Sequence, residues 1–183
     1  MLEIHPWGAR ADKPALPDRA TIDLDPADDV PWERVAEGAL EVRERLAALG
    51  LKSFVKTTGG KGLHVVFPIA PGPDWPTLKR FTAAISERMA ADRPDRYTAN
   101  MAKTARRGRI YVDYLRNGMG ATAVAAYSTR ARPGAAVSTP LAWDEIGAVR
   151  AGHFTVANLP KRLQFLDRDP WEGFAELEQG LPG

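Results

Sequence analysis

A chain of 183 residues, 44% hydrophobic and 26% charged, is sized for one domain with a real core and composed like an ordinary soluble protein. The absence of cysteine excludes a disulfide framework, a thiolate metal site and a cysteine nucleophile, so any metal must sit on oxygen or on one of three histidines, which suits magnesium or manganese. The net charge of +2 favours no partner by itself. No apolar run reaches membrane-spanning length and Met1–Trp7 lacks the pattern of a signal peptide, so a cytoplasmic address without membrane contact is expected.

Met1–Asp18 is rich in proline and charge and reads as an irregular lead into the fold. Ala20–Asp25 is short, β-prone and bounded by Pro26, which predicts a buried strand ending at its aspartates. Pro31 opens a helix in which Val35, Ala39, Val42, Leu46 and Leu49 form one apolar face, with Gly50 as the stop. Ser53–Thr57 and Leu63–Pro68 read as strands joined by a glycine-rich turn. Trp75–Ala91 is a second amphipathic helix, with Leu78, Phe81, Ile85 and Met89 on its face. Arg109–Leu115 and Thr122–Tyr127 are strand-like. Short helical pieces are expected at Trp143–Val149 and Trp171–Gln179, within a C-terminal cap over residues 160–183. This order predicts one α+β domain over residues 1–183, a mixed or antiparallel sheet flanked by helices.

On a strand, residues i and i+2 point to the same face about 6.5–7 Å apart, so Asp23 and Asp25 present neighbouring carboxylates while Leu24 enters the core. Two such acids repel, and one takes up a proton unless a cation lies between them. A divalent metal resolves the conflict and, as a pair of ions about 3.5–4 Å apart, serves phosphoryl transfer. The plain alternative is a turn, because aspartate bonds local backbone and proline stops strands. Asp113 alternates with Ile110 and Val112 and shares a face with Tyr111 and Leu115, a costly place for an unpaired acid. It is a third candidate ligand, or the partner of an arginine.

Lys56–His64 reads Lys-Thr-Thr-Gly-Gly-Lys-Gly-Leu-His. Its glycines, including Gly60, allow backbone N–H groups to converge as an anion-binding nest, to which Thr57 and Thr58 add hydroxyls and Lys61 a cation. The set suits a triphosphate, although the Walker spacing is absent. His64 faces away from Leu63 and Val65 and could reach the same phosphates. His5 and His153 have no such company and read as structural or surface residues. Between Lys79 and Arg116 ten basic residues, including Lys103, Arg106 and Arg107, face only four acids, which makes the segment a candidate for polyanion contact or a solvated surface.

Asp-Leu-Asp-Pro from Asp23, Ser-Phe-Val-Lys-Thr-Thr-Gly-Gly-Lys-Gly-Leu-His-Val from Ser53, Tyr-Val-Asp-Tyr-Leu-Arg-Asn from Tyr111 and Ala-Tyr-Ser-Thr-Arg-Ala-Arg-Pro-Gly from Ala126 together resemble the polymerase domain of bacterial DNA ligase D, of the archaeo-eukaryotic primase superfamily. Leu2–Trp7 also matches, and the likeness extends to about residue 175. The resemblance implies a primase-polymerase, RRM-like core with Asp23, Asp25 and Asp113 as ligands of a two-metal Mn2+ or Mg2+ site. It implies that Thr58, Gly60, Lys61, His64 and Arg130 contact the phosphates of an incoming NTP or dNTP. Arg106 and Lys103 would lie near the nucleotide or primer-template. The implied activity is nucleotide addition to DNA ends in non-homologous end joining, at the nucleoid, with Ku and ligase and nuclease modules as partners. The family domain runs longer at its N-terminus, where it carries an aromatic platform for the base and lysines for a 5′-phosphate. An incomplete nucleotide pocket is therefore expected here.

Two other readings compete. A phosphatase using Asp23 as nucleophile would want a threonine-like residue where Ala27 stands, and a doubly wound fold. A non-catalytic, truncated polymerase domain that only binds DNA ends would keep the basic segment without extending a primer.

Overall fold

Ala20, Ile22 and Leu24 are fully buried along β1 (Arg19–Pro26), whereas Thr21, Asp23 and Asp25 take the opposite face. This one strand divides the protein into a packing side and a chemical side. The computed structural model describes residues 2–182; Met1 and Gly183, the outer ends of the expected lead and cap, lie outside the described residues. After β1 come α1 (Trp32–Ala48), β2 (Phe54–Thr57), β3 (Leu63–Pro68), α2 (Trp75–Asp92), β4 (Tyr97–Thr98), β5 (Ile110–Asp113), β6 (Pro140–Leu141) and α3 (Leu159–Gln164). The strands form one sheet in the order β4-β5-β1-β3-β2-β6, antiparallel at every pairing except β4–β5. The α+β expectation holds.

Ile22 and Leu24, Leu63 and Val65, and Ile110 and Val112 meet Val35, Ala39, Val42 and Leu46 of α1 and Leu78, Ile85 and Met89 of α2 in one apolar cluster. Each helix uses the i, i+3, i+4 face its sequence carries. Leu49 departs from that face: it caps α1 and is exposed. Asp74 caps α2, accepting a hydrogen bond from the Thr77 amide at 2.8 Å.

Several local expectations give way to tertiary context. Thr122–Tyr127 forms no strand of the sheet. Its amides turn to the N-terminal segment instead, Ala125 donating to the Ile4 carbonyl at 2.9 Å. Trp143–Val149 and Trp171–Gln179 form turns rather than helices, and the helix that does form near the end is α3. The tail still packs. Trp171 and Phe174 stack on each other beside Phe54, and Trp171 Nε1 donates to the Val55 carbonyl at 2.8 Å. β5 stops at Asp113, two residues short of the predicted end, because Leu115 enters a 3-10 turn. From that turn the buried Asn117 acts as a substitute strand for β1: its Oδ1 accepts from the Thr21 amide and its Nδ2 donates to the Thr21 carbonyl, both at 2.8 Å.

Candidate active site

Strand register assembles the floor of the site. Asp23 stands opposite Asp113 across β1 and β5, and opposite His64 across β1 and β3. Residues paired this way hold their Cβ atoms about 4.5–5.5 Å apart on one face. All three are buried, at 6%, 8% and 3% exposure respectively. Asp25 follows on the same face opposite Tyr111.

Arginines hold these acids. Arg116 spans the pair, with Nη2 3.1 Å from Asp23 Oδ2 and Nε 3.4 Å from Asp113 Oδ2. Arg106 donates from Nη1 to Asp25 Oδ2 at 2.6 Å while its guanidinium lies 4.2 Å over the Tyr111 ring. The three carboxylates therefore share a face without closing on one point. Among the described residues no three acidic or histidine side chains gather closely enough to hold an ion.

The donor chemistry nevertheless fits a hard divalent cation. Burial pushes the Asp113 carboxyl up, the Leu115 amide offsets part of that, and the neighbouring Asp23 charge adds to it. Burial would raise Asp23 as well, but His64, Arg116 and Lys56 together bring it below its ordinary value. Two adjacent buried carboxylates, one resisting ionisation and bridged by one half-exposed guanidinium, offer the oxygen ligands that a hard divalent cation takes.

Burial, followed by the nearby Lys56 cation, holds His64 down to about 4. At neutral pH the ring is neutral, with Nε2 3.4 Å from Asp23 Oδ2 and a buried Nδ1 that meets no partner. An unfolded imidazole takes up its proton near pH 6.5, whereas the folded one refuses it until about 4. Stability is thus expected to fall as pH drops from 6.5 to 4, by about 3 kcal/mol from this group, and to level off below. Urea midpoints across that range should show a shallower decline in His64→Gln; parallel curves would contradict the assignment.

The turn between β2 and β3 is built by close approach. A Cβ on Gly62 would fall 2.3 Å from the Leu24 carbonyl oxygen, and Gly59 combines φ +67° with a Cβ position 2.6 Å from Arg130 Cγ. The Thr58 hydroxyl braces the turn, donating to the Gly62 carbonyl and accepting from the Gly60 amide, both at 3.2 Å. A cleft of about 250 Å³ lies over the floor. Asp23, Asp25 and His64 border it from the sheet, and Thr58, Gly60, Lys61 and Arg130 from the turn and the following loop. Asp113 does not reach its wall. Lys103, Arg106 and Arg107 line a neighbouring groove of about 470 Å³, which Asp25 and Lys61 also border.

His5, Arg116 and Arg132 line the cleft unforeseen. His5 had no local pattern to mark it and arrives only through docking of the N-terminal segment. Arg116 lay in the quoted Tyr-Leu-Arg-Asn motif, and its spacing of three from Asp113 was the available signal. Lys56, buried opposite His64, donates to Ser138 Oγ at 2.8 Å and is pulled down to about 7 by burial. Alternation puts it on the chemical face, but no local pattern names its partner.

The site is thus an acidic floor with a basic rim on a helix-backed, mostly antiparallel sheet. The solved polymerase domain from Mycobacterium tuberculosis ligase D in complex with DNA is similar to it with a TM-score of 0.81 at 30% identity, over 88% of this chain and 56% of that one. Residues 1–171 match the family described as LigD, primase-polymerase domain, and the chain belongs to that family. The multifunctional non-homologous end joining protein LigD of Pseudomonas aeruginosa is 41% identical over 98% of this chain, and that of Mycolicibacterium smegmatis 32% identical over 88%. The chain spans 22% of the length of each.

Proposed function

We propose that this chain is a metal-dependent nucleotidyltransferase core that adds ribo- or deoxyribonucleotides to DNA ends during non-homologous end joining, alongside Ku and ligase and nuclease modules in the cytoplasm. The observation that carries it is the register that sets Asp23 between Asp113 and His64 beneath a basic-rimmed cleft. Membership of the LigD primase-polymerase family supports it.

Asp23, Asp25 and Asp113 would hold the divalent metal, Mn2+ or Mg2+, at a two-ion site; bound there, it lowers the pKa of the attacking 3′-hydroxyl and offsets charge on the phosphates. To take part, Asp25 must leave Arg106, and Asp23 and Asp113 must leave Arg116. Lys61, Arg130 and Arg132 bind the triphosphate from the rim and balance the charge that grows on it as pyrophosphate departs from the α-phosphate. Neutral His64 offers hydrogen bonds rather than charge. Thr58 keeps the turn open for phosphates through its internal bonds.

Primer extension with manganese and ribonucleotides tests this reading. Extension that requires Asp23 and Asp25 supports it; DNA binding without extension under any metal supports the rival, a DNA-end-binding module. One observation favours the rival: the arginines already hold the acids.

The structurally related domain was solved with DNA. Here the groove beside Asp25, with Lys103, Arg106 and Arg107, is proposed to take the DNA backbone. Because each neutralised phosphate contributes about −0.9 to the slope of log affinity against log salt, Lys103→Ala with Arg107→Ala is expected to flatten that slope by about 1–2. Fluorescence anisotropy at several salt concentrations measures it, and an unchanged slope removes these residues from the interface.

A further inference from the structure

The N-terminal segment docks onto the loop that carries Arg130. The Ile4 amide donates to Ser128 Oγ at 2.9 Å, the Thr129 hydroxyl donates to the Leu2 carbonyl at 2.5 Å, and the Ala125 amide donates to the Ile4 carbonyl. Glu3 is the hub of this contact. Its Oε1 accepts from the Ala131 amide at 2.6 Å, and its Oε2 lies 2.7 Å from His5 Nε2 and 3.2 Å from Arg130 Nε.

Arg130 itself is mostly withdrawn from solvent, its side chain 16% exposed. Its Nη1 donates to the Thr58 carbonyl at 2.7 Å, which ties the guanidinium to the glycine turn. Its Nε finds no aligned acceptor, so Glu3 acts on it as a nearby charge rather than through a formal hydrogen bond. A withdrawn guanidinium needs a counter-charge, and Glu3 is the carboxylate paired with it. The strong hydrogen bonding from His5 and Ala131 keeps Glu3 far below its ordinary value, at about 2, so the counter-charge persists at all working pH.

We propose that Glu3 is a positioning residue for Arg130: it fixes the guanidinium against Thr58, leaving Nη2 for the phosphates, and so makes the N-terminal segment part of the nucleotide site. This rests on the nucleotide reading of the cleft. A purely structural anchor would serve the loop equally whether or not Arg130 were present. A positioning residue acts only through Arg130, and that difference is measurable.

Titration calorimetry of the full chain with adenosine triphosphate and magnesium, on the wild type, Glu3→Gln, Arg130→Ala and the double variant, separates the two. Glu3→Gln keeps an acceptor for the Ala131 amide but removes the charge. It is expected to weaken binding about threefold to tenfold while the unfolding midpoint stays near that of the wild type. Arg130→Ala should weaken it further, and the double variant should bind no worse than Arg130→Ala alone. Additive losses in the double variant would overturn the proposal. So would intact binding in Glu3→Gln beside weakened binding in Arg130→Ala, or intact binding in Arg130→Ala. A wild type that binds no triphosphate would remove the nucleotide reading itself, and this proposal with it.

Discussion

Changing Asp23 and Asp25 together to alanine is expected to lower manganese-dependent primer extension by more than about 100-fold. Partners that merely orient a metal's ligands are typically worth about 10–100-fold, and residues proposed to ligate directly must exceed that. The chain should stay folded. Asp25 is part-exposed, and although buried Asp23 is a counter-charge for Arg116 and Lys56, half-exposed Arg116 keeps Asp113, Lys56 keeps Ser138, and the repulsion between the two acids is relieved. Extension assays on samples matched by circular dichroism check both points. Activity within tenfold of the parent would move catalysis away from β1 altogether.

Leu24→Ala should do the reverse, with an expected loss of about 3–5 kcal/mol of stability. Leu24 lies between the two aspartates in sequence but faces the helices, with no exposed surface, in the cluster that holds Leu63 and Val112. Truncation there removes buried methyl groups and leaves a cavity that strand pairing on both sides prevents from collapsing. Urea unfolding of the two variants side by side is the measurement. A loss below about 1 kcal/mol would mean that β1 is not packed against the helices as described.

The contrast between adjacent residues explains what could be read early. Alternation alone put Asp23 and Asp25 on one face and Leu24 on the other, and put His64 opposite Leu63 and Val65, because a strand's two-residue period is a local property of the chain. The same local reasoning makes Thr122–Tyr127 a strand, and fails there because its amides pair with the irregular N-terminal segment rather than with a strand of the sheet. β4 and β6, two residues each, carry too little pattern to announce themselves.

Periodicity and turn chemistry in the amino-acid order determined α1, α2, β1 and β3, the α+β class, and which side of each strand carries polar groups. Only the folded chain decided that Arg106 and Arg116 hold the acids, that Asp113 pairs in register with Asp23, that His5 lines the cleft and that Glu3 meets Arg130. Backbone preference and apolar spacing act over a few residues and are written locally. Ion pairs between side chains some 80 to 130 positions apart depend on which strands and loops the core brings together, and no local pattern encodes that choice.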